Sequence, residues 1–239
     1  METQQVREPS PEISSGVRRW LLRGLFAKLV VGLVLFLSAG RLDWGAGWVY
    51  LGVFIAFDLA TLLVVWPRHP ALLAERSEIQ EGTKSWDQVV LRLTALYLPM
   101  ASWIVAGLNE RWGWSPEVSL PIQVAAGVVT VAGYGLVVWA MGANAYFSAT
   151  VRLQTDRDQK VISSGPYAIV RHPGYVGAML FTAAAPLLLG SAWALIPGLI
   201  AALLYVVRTE LEDRTLKAEL PGYRGYAVTV RYRLVLGLW

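Results

Sequence analysis

A short polar segment at residues 165–177 lies between two apolar stretches and carries side chains that could bind a ligand. It contains His172, one of only two histidines in the protein, and it turns at Gly165-Pro166 and at Pro173-Gly174. Polar backbone beside a membrane helix is tolerated only where it faces protein or a water-filled cavity. The segment is therefore predicted to form the wall of a pocket.

A second charged cluster follows the next apolar stretch, at residues 208–214. Arg208 and Glu212 are four residues apart, so they share one face of a helix. Either they form an interfacial salt bridge that ends a membrane helix, or both side chains extend into a pocket that faces the cytosol. In that pocket the carboxylate would hold an ammonium group and the guanidinium a carboxylate or another anion. The spacing alone leaves both interpretations open.

The composition indicates an integral membrane protein. Of 239 residues, 55% are hydrophobic and only 16% are charged, against about 45–50% and about 25% in soluble domains. The chain has no cysteine, which excludes disulfides, thiol nucleophiles and thiolate metal sites. With two histidines and no His-Glu-x-x-His pattern, we expect no metal centre.

Four apolar segments and one longer apolar block define the expected fold. The four segments predict membrane helices near residues 20–40, 44–66, 90–108 and 120–141. The block at about 174–207 is too long for one span and is interrupted near Leu189-Gly190-Ser191, so we predict a helical hairpin with its tip there. The predicted fold class is an all-α, polytopic membrane protein with about six transmembrane helices.

The basic residues predict the orientation of these spans. Of the 21 Lys and Arg residues, only Arg41 and Arg111 fall on one side of the predicted topology. The positive-inside rule then places both termini and the loops at about 67–92 and 142–173 in the cytoplasm. Because the charges follow topology in this way, we expect membrane lipids and no nucleic acid as partners, and we infer no obligate protein partner.

Two polar residues near the predicted spans have more than one interpretation. Asp58 lies within the second span, where an ionisable residue is costly and often functional. Its two structural interpretations are a pair with Lys28 and extension toward the interface. Asn144 follows the fourth span and is either a helix cap or a pocket residue. Gly127, Gly133 and Gly135 are expected to allow close helix packing.

The chemically useful segments resemble the motifs of a known family. The first motif comprises Ser163-Ser164-Gly165-Pro166-Tyr167 and Arg171-His172-Pro173-Gly174-Tyr175-Val176-Gly177; the second comprises Arg208-x-x-x-Glu212-Asp213 and Gly222-Tyr223-x-x-Tyr226. Together they resemble the isoprenylcysteine carboxyl methyltransferase family over about residues 140–239. Residues 72–76 and 82–86 are similar to a loop of its bacterial members.

The resemblance implies a helical fold without a Rossmann domain that binds S-adenosylmethionine at the cytoplasmic face. Carried over by position, the residues implied to bind the cofactor are Gln159, Lys160, Val161, Ile162, Tyr167, His172, Pro173, Gly174, Tyr175 and Glu212. Glu212 would hold the amino group of the cofactor, and Arg208 would face the methyl acceptor. The family usually has two glutamates where this chain has Glu212-Asp213.

On this basis the chain divides into three regions. Residues 1–19 are expected to be a disordered cytoplasmic tail, and residues 20–141 a four-helix membrane region. Residues 142–239 would be the catalytic region, with a cofactor loop, the hairpin and a C-terminal cytosolic helix.

The expected reaction needs few catalytic groups. Methyl transfer from a sulfonium to a carboxylate requires neither an acid nor a base, so rate comes mainly from orientation and exclusion of water. His172 is then interpreted as a hydrogen-bonding clamp. If the acceptor were a thiol or an ammonium, a base would be needed and His172 would be the first candidate.

The resemblance therefore predicts a membrane methyltransferase that acts on a lipophilic acceptor, expected to be a carboxylate. A prenylated cysteine carboxylate, a phospholipid amine, a small thiol and an isoprenoid acid all fit the residues. Two alternatives are a sterol-reductase-like enzyme with a nicotinamide cofactor and a non-catalytic membrane scaffold.

Overall fold

The computed structural model describes residues 10–78 and 80–239, and this part of the chain folds into α-helices without a strand. The helices are α1 (Pro11–Ala39), α2 (Gly45–Val65), α3 (Pro70–Glu75), α4 (Ser85–Trp112), α5 (Leu120–Ala143), α6 (Pro173–Leu188), α7 (Leu195–Glu219) and α8 (Tyr223–Thr229). Helix α4 contains a π-helical turn at Leu93–Tyr97. The all-α prediction is confirmed.

Four of these helices, α1, α2, α4 and α5, are long and apolar enough to cross a membrane. They coincide with the four predicted apolar segments. Helix α6 is a shorter apolar helix of 16 residues, and α7 has 25 residues that end in the charged cluster. A turn with Gly190 at φ +76° joins these two helices at the predicted break, and they pack against each other. That this pair crosses the membrane as a hairpin stays a prediction.

Helix α1 begins earlier than the sequence analysis placed it. Residues 11–19, which we assigned to a disordered tail, are helical; residues 1–9 of that tail lie outside the described residues. Ser10 caps the helix through its hydroxyl oxygen, which accepts from the backbone N–H of Ile13 at 3.4 Å. Val17 is buried in a cluster with Val65 and Leu72. The sequence analysis missed these turns because most of their residues are polar and exposed, and only a narrow apolar stripe is buried.

The central helices approach closely where glycines face each other. A Cβ added to Gly133 on α5 would lie 2.7 Å from the carbonyl oxygen of Gly177 on α6, and one added to Gly177 would lie 2.5 Å from that of Gly133. The predicted role in close packing is confirmed for Gly133. A Cβ on Gly135 would meet nothing within 4 Å, so this glycine does not serve that packing.

Interactions inside the helical region join α2 to its neighbours. The ring of Tyr134 on α5 stacks between Phe57 of α2 and Phe181 of α6, with centroid distances of 4.6 and 4.2 Å. Asp58 on α2 forms an ion pair with Lys28 on α1, so of its two interpretations the structure has the pair. These contacts fix the helices that carry one wall of the cavity described below.

The C-terminal segment packs onto the loop between α5 and α6. Backbone N–H groups of Arg171 and His172 donate to the carbonyl oxygens of Tyr232 and Arg233, both at 3.0 Å. The Tyr226 hydroxyl donates to the carbonyl of Tyr167 at 2.7 Å. The two sequence motifs, although separated by two helices, therefore lie side by side at one end of the bundle.

Candidate functional site

A cavity of about 370 Å³ lies between α2, α4, α5, α6 and α7 and is closed at one end by the loop between α5 and α6. Its walls differ in chemistry. The apolar wall, on the helices, includes Phe57, Leu91, Ala95, Val137, Ala178 and Phe181. The polar wall, toward the loop and the charged end of α7, includes Arg76, Asn144, Gln154, Gln159, Lys160, Arg208 and Glu212. A ligand held here would have one apolar part and one polar part.

Nearly all the residues singled out from the sequence meet at this cavity. Those that line it are Gln159, Lys160, Val161, Ile162, Tyr167, His172, Gly174, Tyr175, Arg208 and Glu212. Pro173 is not among the lining residues; it occupies the first turn of α6, where the missing N–H of proline costs nothing. Their roles in binding a cofactor stay predictions.

Arg208 forms a buried, two-pronged ion pair with Asp87 at the start of α4. Its Nε lies 2.7 Å from Oδ1 of Asp87 and its Nη2 lies 3.0 Å from Oδ2. Nη2 also donates to the Ala149 carbonyl at 2.8 Å, and Asp87 accepts from the backbone N–H of Val151 at 2.7 Å. The salt bridge to Glu212 that the spacing allowed is not formed, because the guanidinium turns to Asp87.

Sequence reasoning missed Asp87. It directly follows Trp86, the last residue of the loop segment that is similar to bacterial family members. That adjacency was the one signal in the sequence that could have drawn attention to it. Its first-turn place on α4 resembles that of an ordinary surface acid at a helix N-terminus. The 0% exposure of this side chain is set by tertiary packing.

Glu212 presents a carboxylate that forms no salt bridge with the other described residues. The Tyr175 hydroxyl donates to its Oε2, and the residue is half-buried in the cavity wall. Within residues 10–78 and 80–239, no Lys, Arg or His nitrogen lies within 4.0 Å of this carboxylate. A carboxylate in this state is suited to receive a cationic group from a ligand.

Asp213, the neighbour of Glu212, has a different role. It is fully buried and accepts from Arg171 at 2.8 Å, Lys217 at 2.6 Å and Arg233 at 3.0 Å. Burial would raise the pKa of its carboxyl, but hydrogen bonds from His172, Arg171, Lys217 and Arg233 outweigh burial and hold that pKa well below its usual range. Asp213 therefore ties α7 to the loop and to the C-terminal segment.

Arg171 completes this connection. Besides Asp213, its Nη1 donates to the carbonyl oxygens of Val230 and Arg231, both at 2.7 Å. The residue is 5% exposed and lines the cavity. Since its donors are taken up by Asp213 and by the C-terminal segment, Arg171 acts as a structural residue.

His172 lies between this network and the cavity. Its Nε2 lies 3.5 Å from Oδ1 of Asp213 and 3.3 Å from the Tyr223 hydroxyl. Its ring stacks on Tyr175 with 5.8 Å between centroids and 12° between planes. This geometry suits a positioned side chain, because one ring nitrogen already faces two protein groups.

Arg76, at the end of α3, is a further lining residue to which sequence reasoning assigned no role. Its Nη1 donates to the Phe147 carbonyl at 3.2 Å, and its guanidinium lies 5.4 Å from the Phe147 ring centroid. Burial, and then the nearby charge of Arg208, lower its pKa to about 10. No carboxylate lies within 4.0 Å of it in the described part of the chain.

The loop that closes the cavity is ordered by its own side chains. Asn144 accepts from the backbone N–H of Tyr146 at 2.8 Å and also lines the cavity, so both of its interpretations apply. The side-chain carbonyl of Gln159 accepts from the backbone N–H of Gln154 at 2.8 Å. Gln154 in turn donates to the Tyr146 carbonyl at 2.7 Å.

Comparison with known families bears directly on this site. Residues 125–218 match the model described as the isoprenylcysteine carboxyl methyltransferase (ICMT) family, which confirms the family resemblance. The matched range spans most of α5, the loop, α6 and nearly all of α7, and thus includes His172, Arg208 and Glu212. It does not include Arg76 or Asp87. A search of curated proteins found no match to the chain.

Proposed function

We propose that this protein transfers a methyl group from S-adenosylmethionine to a lipophilic acceptor at the cytosolic face of a membrane. The proposal starts from the family match of residues 125–218, which supports a membrane methyltransferase. The observation that carries it is the carboxylate of Glu212, which has no salt-bridge partner in the part of the chain that the structure describes and lies in a cavity with one polar and one apolar wall.

The residues present fit the cofactor chemically. S-adenosylmethionine carries an ammonium group, and Glu212 offers it a carboxylate that is already oriented by the Tyr175 hydroxyl. The cavity, at about 370 Å³, falls within the about 300–1,000 Å³ usual for small-molecule sites. When bound, the cofactor supplies an electrophilic methyl group on a sulfonium.

The remaining residues of the site orient the reacting groups and exclude water from them. The Arg208–Asp87 pair holds the charged end of α7 against α4, and the apolar wall keeps water from the reacting atoms. His172 is held by Asp213 and Tyr223 and keeps the loop in place. With a carboxylate acceptor no side chain has to take or give a proton, so this set of residues is sufficient.

The apolar wall supports a lipophilic acceptor. Phe57, Leu91 and Phe181 come from three different helices, α2, α4 and α6, and all line the cavity. A polar acceptor would lose its hydration there without compensation. We propose O-methylation of a carboxylate.

The proposed topology has six spans, with α6 and α7 as a membrane hairpin. Helix α6, at 16 residues, is about 24 Å long, enough for a thin or locally covered membrane. The cavity lies at the end of the bundle that carries nearly all of the basic residues, which supports a cytosolic opening and cytosolic termini.

Binding and product analysis test this proposal together. Protein purified in detergent is titrated with S-adenosylmethionine and, in parallel, with NADPH. Lipids from cells with and without the protein are compared by mass spectrometry for the mass of one added CH₂. Binding of S-adenosylmethionine and a methylated lipid are expected. Binding of NADPH alone would favour the reductase alternative, and binding of neither would favour the scaffold.

A further inference from the structure

The two arginines in the polar wall of the cavity differ in how their charges are balanced. Arg208 has Asp87 as its counterion and also donates to the Ala149 carbonyl. The Arg76 side chain makes one hydrogen bond in the described part of the protein, from Nη1 to the Phe147 carbonyl. A guanidinium carries five N–H donors, so most donors of Arg76 are left for another group.

Glu75, Asp58 and Asp87 are each paired with a cation other than Arg76. Glu75, the chain neighbour of Arg76, accepts from Arg152 at 2.9 Å, with both side chains under 10% exposed. Asp58 is paired with Lys28, and Asp87 with Arg208. Within residues 10–78 and 80–239, therefore, no carboxylate lies within 4.0 Å of Arg76, which lines the polar wall of the cavity.

We propose that Arg76 binds a carboxylate of a ligand in this cavity. This inference rests on the proposed function, which supplies two possible sources of the carboxylate. One is the amino-acid part of S-adenosylmethionine, and the other is the acceptor. A guanidinium binds a carboxylate through two parallel hydrogen bonds, and the contact is strong where water is excluded.

The electrostatics of the cavity agree with this assignment. The positive charge of Arg208 lowers the pKa of Arg76, after the effect of burial, because two like charges face the same space. A bound carboxylate would relieve that repulsion, whereas a bound amine beside Arg76 would add to it. Glu212, on α7, would take the cationic group of a ligand, so the two ends of an amino acid would have separate partners.

The experiment uses pairs of ligands that differ only in the carboxylate. The full chain in detergent is titrated by calorimetry with S-adenosylmethionine and with its decarboxylated analogue. It is then titrated with farnesoic acid and with farnesol, each in the presence of S-adenosylhomocysteine. The variants are Arg76→Gln and Arg76→Lys. The control is Arg68→Gln, which removes an exposed arginine at the same end of the bundle.

Arg76→Gln is expected to weaken binding of one carboxylate ligand about tenfold or more, and to leave its carboxylate-free analogue unchanged. An effect on S-adenosylmethionine identifies the cofactor as the source; an effect on farnesoic acid identifies the acceptor. Arg76→Lys should show the same selectivity with a smaller loss, since it keeps charge but not the two-pronged contact. Arg68→Gln should change none of the four affinities.

The proposal is overturned if Arg76→Gln binds all four ligands as the natural protein does, or weakens both members of a pair equally. If Arg76→Gln does not fold, as judged by its melting transition, the same criteria apply to Arg76→Lys. Failure of the natural protein to bind either S-adenosylmethionine or its analogue would refute the proposed function instead. The farnesoic acid and farnesol pair would still decide the role of Arg76.

Discussion

Arg208 and Asp87 lie 121 residues apart in the chain and form one buried two-pronged ion pair between α7 and α4. The pair connects the segment matched by the family to a helix outside it. Arg208 therefore positions α7 as well as lining the cavity. A test of its predicted role in acceptor binding has to separate that role from this structural contribution.

Asp87→Asn should destabilise the protein strongly. It leaves the Arg208 guanidinium buried without a counterion, which costs about 3–5 kcal/mol in comparable buried pairs. The measurement is the melting temperature in detergent. Asp156→Asn, which alters an exposed partner of Arg152, is the control and should have little effect. An Asp87→Asn melting temperature equal to that of the control would show that the pair does not stabilise the fold.

Glu212→Gln should weaken S-adenosylmethionine binding by about 5- to 150-fold. A charge-assisted contact to the ammonium becomes a neutral one, worth about 1–3 kcal/mol less. Calorimetric titration measures the dissociation constant. Glu219→Gln is the matched control on the same helix, since Glu219 pairs with Lys84 outside the cavity. An unchanged constant for Glu212→Gln would refute its assignment to the ammonium group.

Arg208→Lys and His172→Ala should affect different measurements. Arg208→Lys keeps the positive charge but loses the two-pronged contact with Asp87. Turnover and melting temperature should therefore fall, while the affinity for the cofactor should be unchanged. His172→Ala should lower cofactor affinity, because it empties the space between Tyr175 and Asp213. The opposite pattern in binding and methyl-transfer assays would mean that the two roles are reversed.

The charge distribution predicts which loops face the cytoplasm. The chain contains no cysteine, so single cysteines can be introduced one at a time. A cysteine at the exposed Ser163 should resist an impermeant thiol reagent added outside intact cells, whereas one at the exposed Ser119 should react. Reaction at position 163 but not at 119 would invert the topology.

The buried Asp213 predicts a loss of stability in acid. Its pKa in the folded protein is held well below the usual range, so the folded state binds its proton less readily than the unfolded state does. The stabilisation is therefore complete above about pH 4, the ordinary pKa of Asp, and declines as the pH falls below that value. Melting temperatures between pH 7 and pH 3 should show this decline, and Asp213→Asn should start lower and decline less. Parallel curves for the two proteins would contradict the assignment.

Much of the helical framework followed from the sequence because apolar segments of membrane length are a strong local signal. The four predicted segments coincide with α1, α2, α4 and α5. The start of α1 could not be predicted from the sequence. Its first two turns are polar on the exposed face and are held by packing against α3. Hydropathy alone cannot distinguish such turns from a tail.

The residues of the candidate site were predictable where a motif places them in one short segment. His172, Gly174 and Tyr175 lie within four positions, and the structure brings them to the same cavity. Asp87 and Arg76 were not predictable in this way, because their significance depends on which partner each does or does not meet. Pairing of side chains from distant segments is a property of the tertiary fold.

The backbone contact between Gly133 and Gly177 also determines which wall of the cavity can move to accommodate a ligand. No side chain lies between α5 and α6 at that point, so no change of rotamer can open a gap there. The facing wall is different: Leu91 and Ala95 of α4 flank or belong to its π-helical turn, where the winding departs from the regular helix. If the acceptor is lipophilic, as proposed, we expect the width of hydrocarbon chain that fits to depend on α4, while the α5–α6 wall keeps its position.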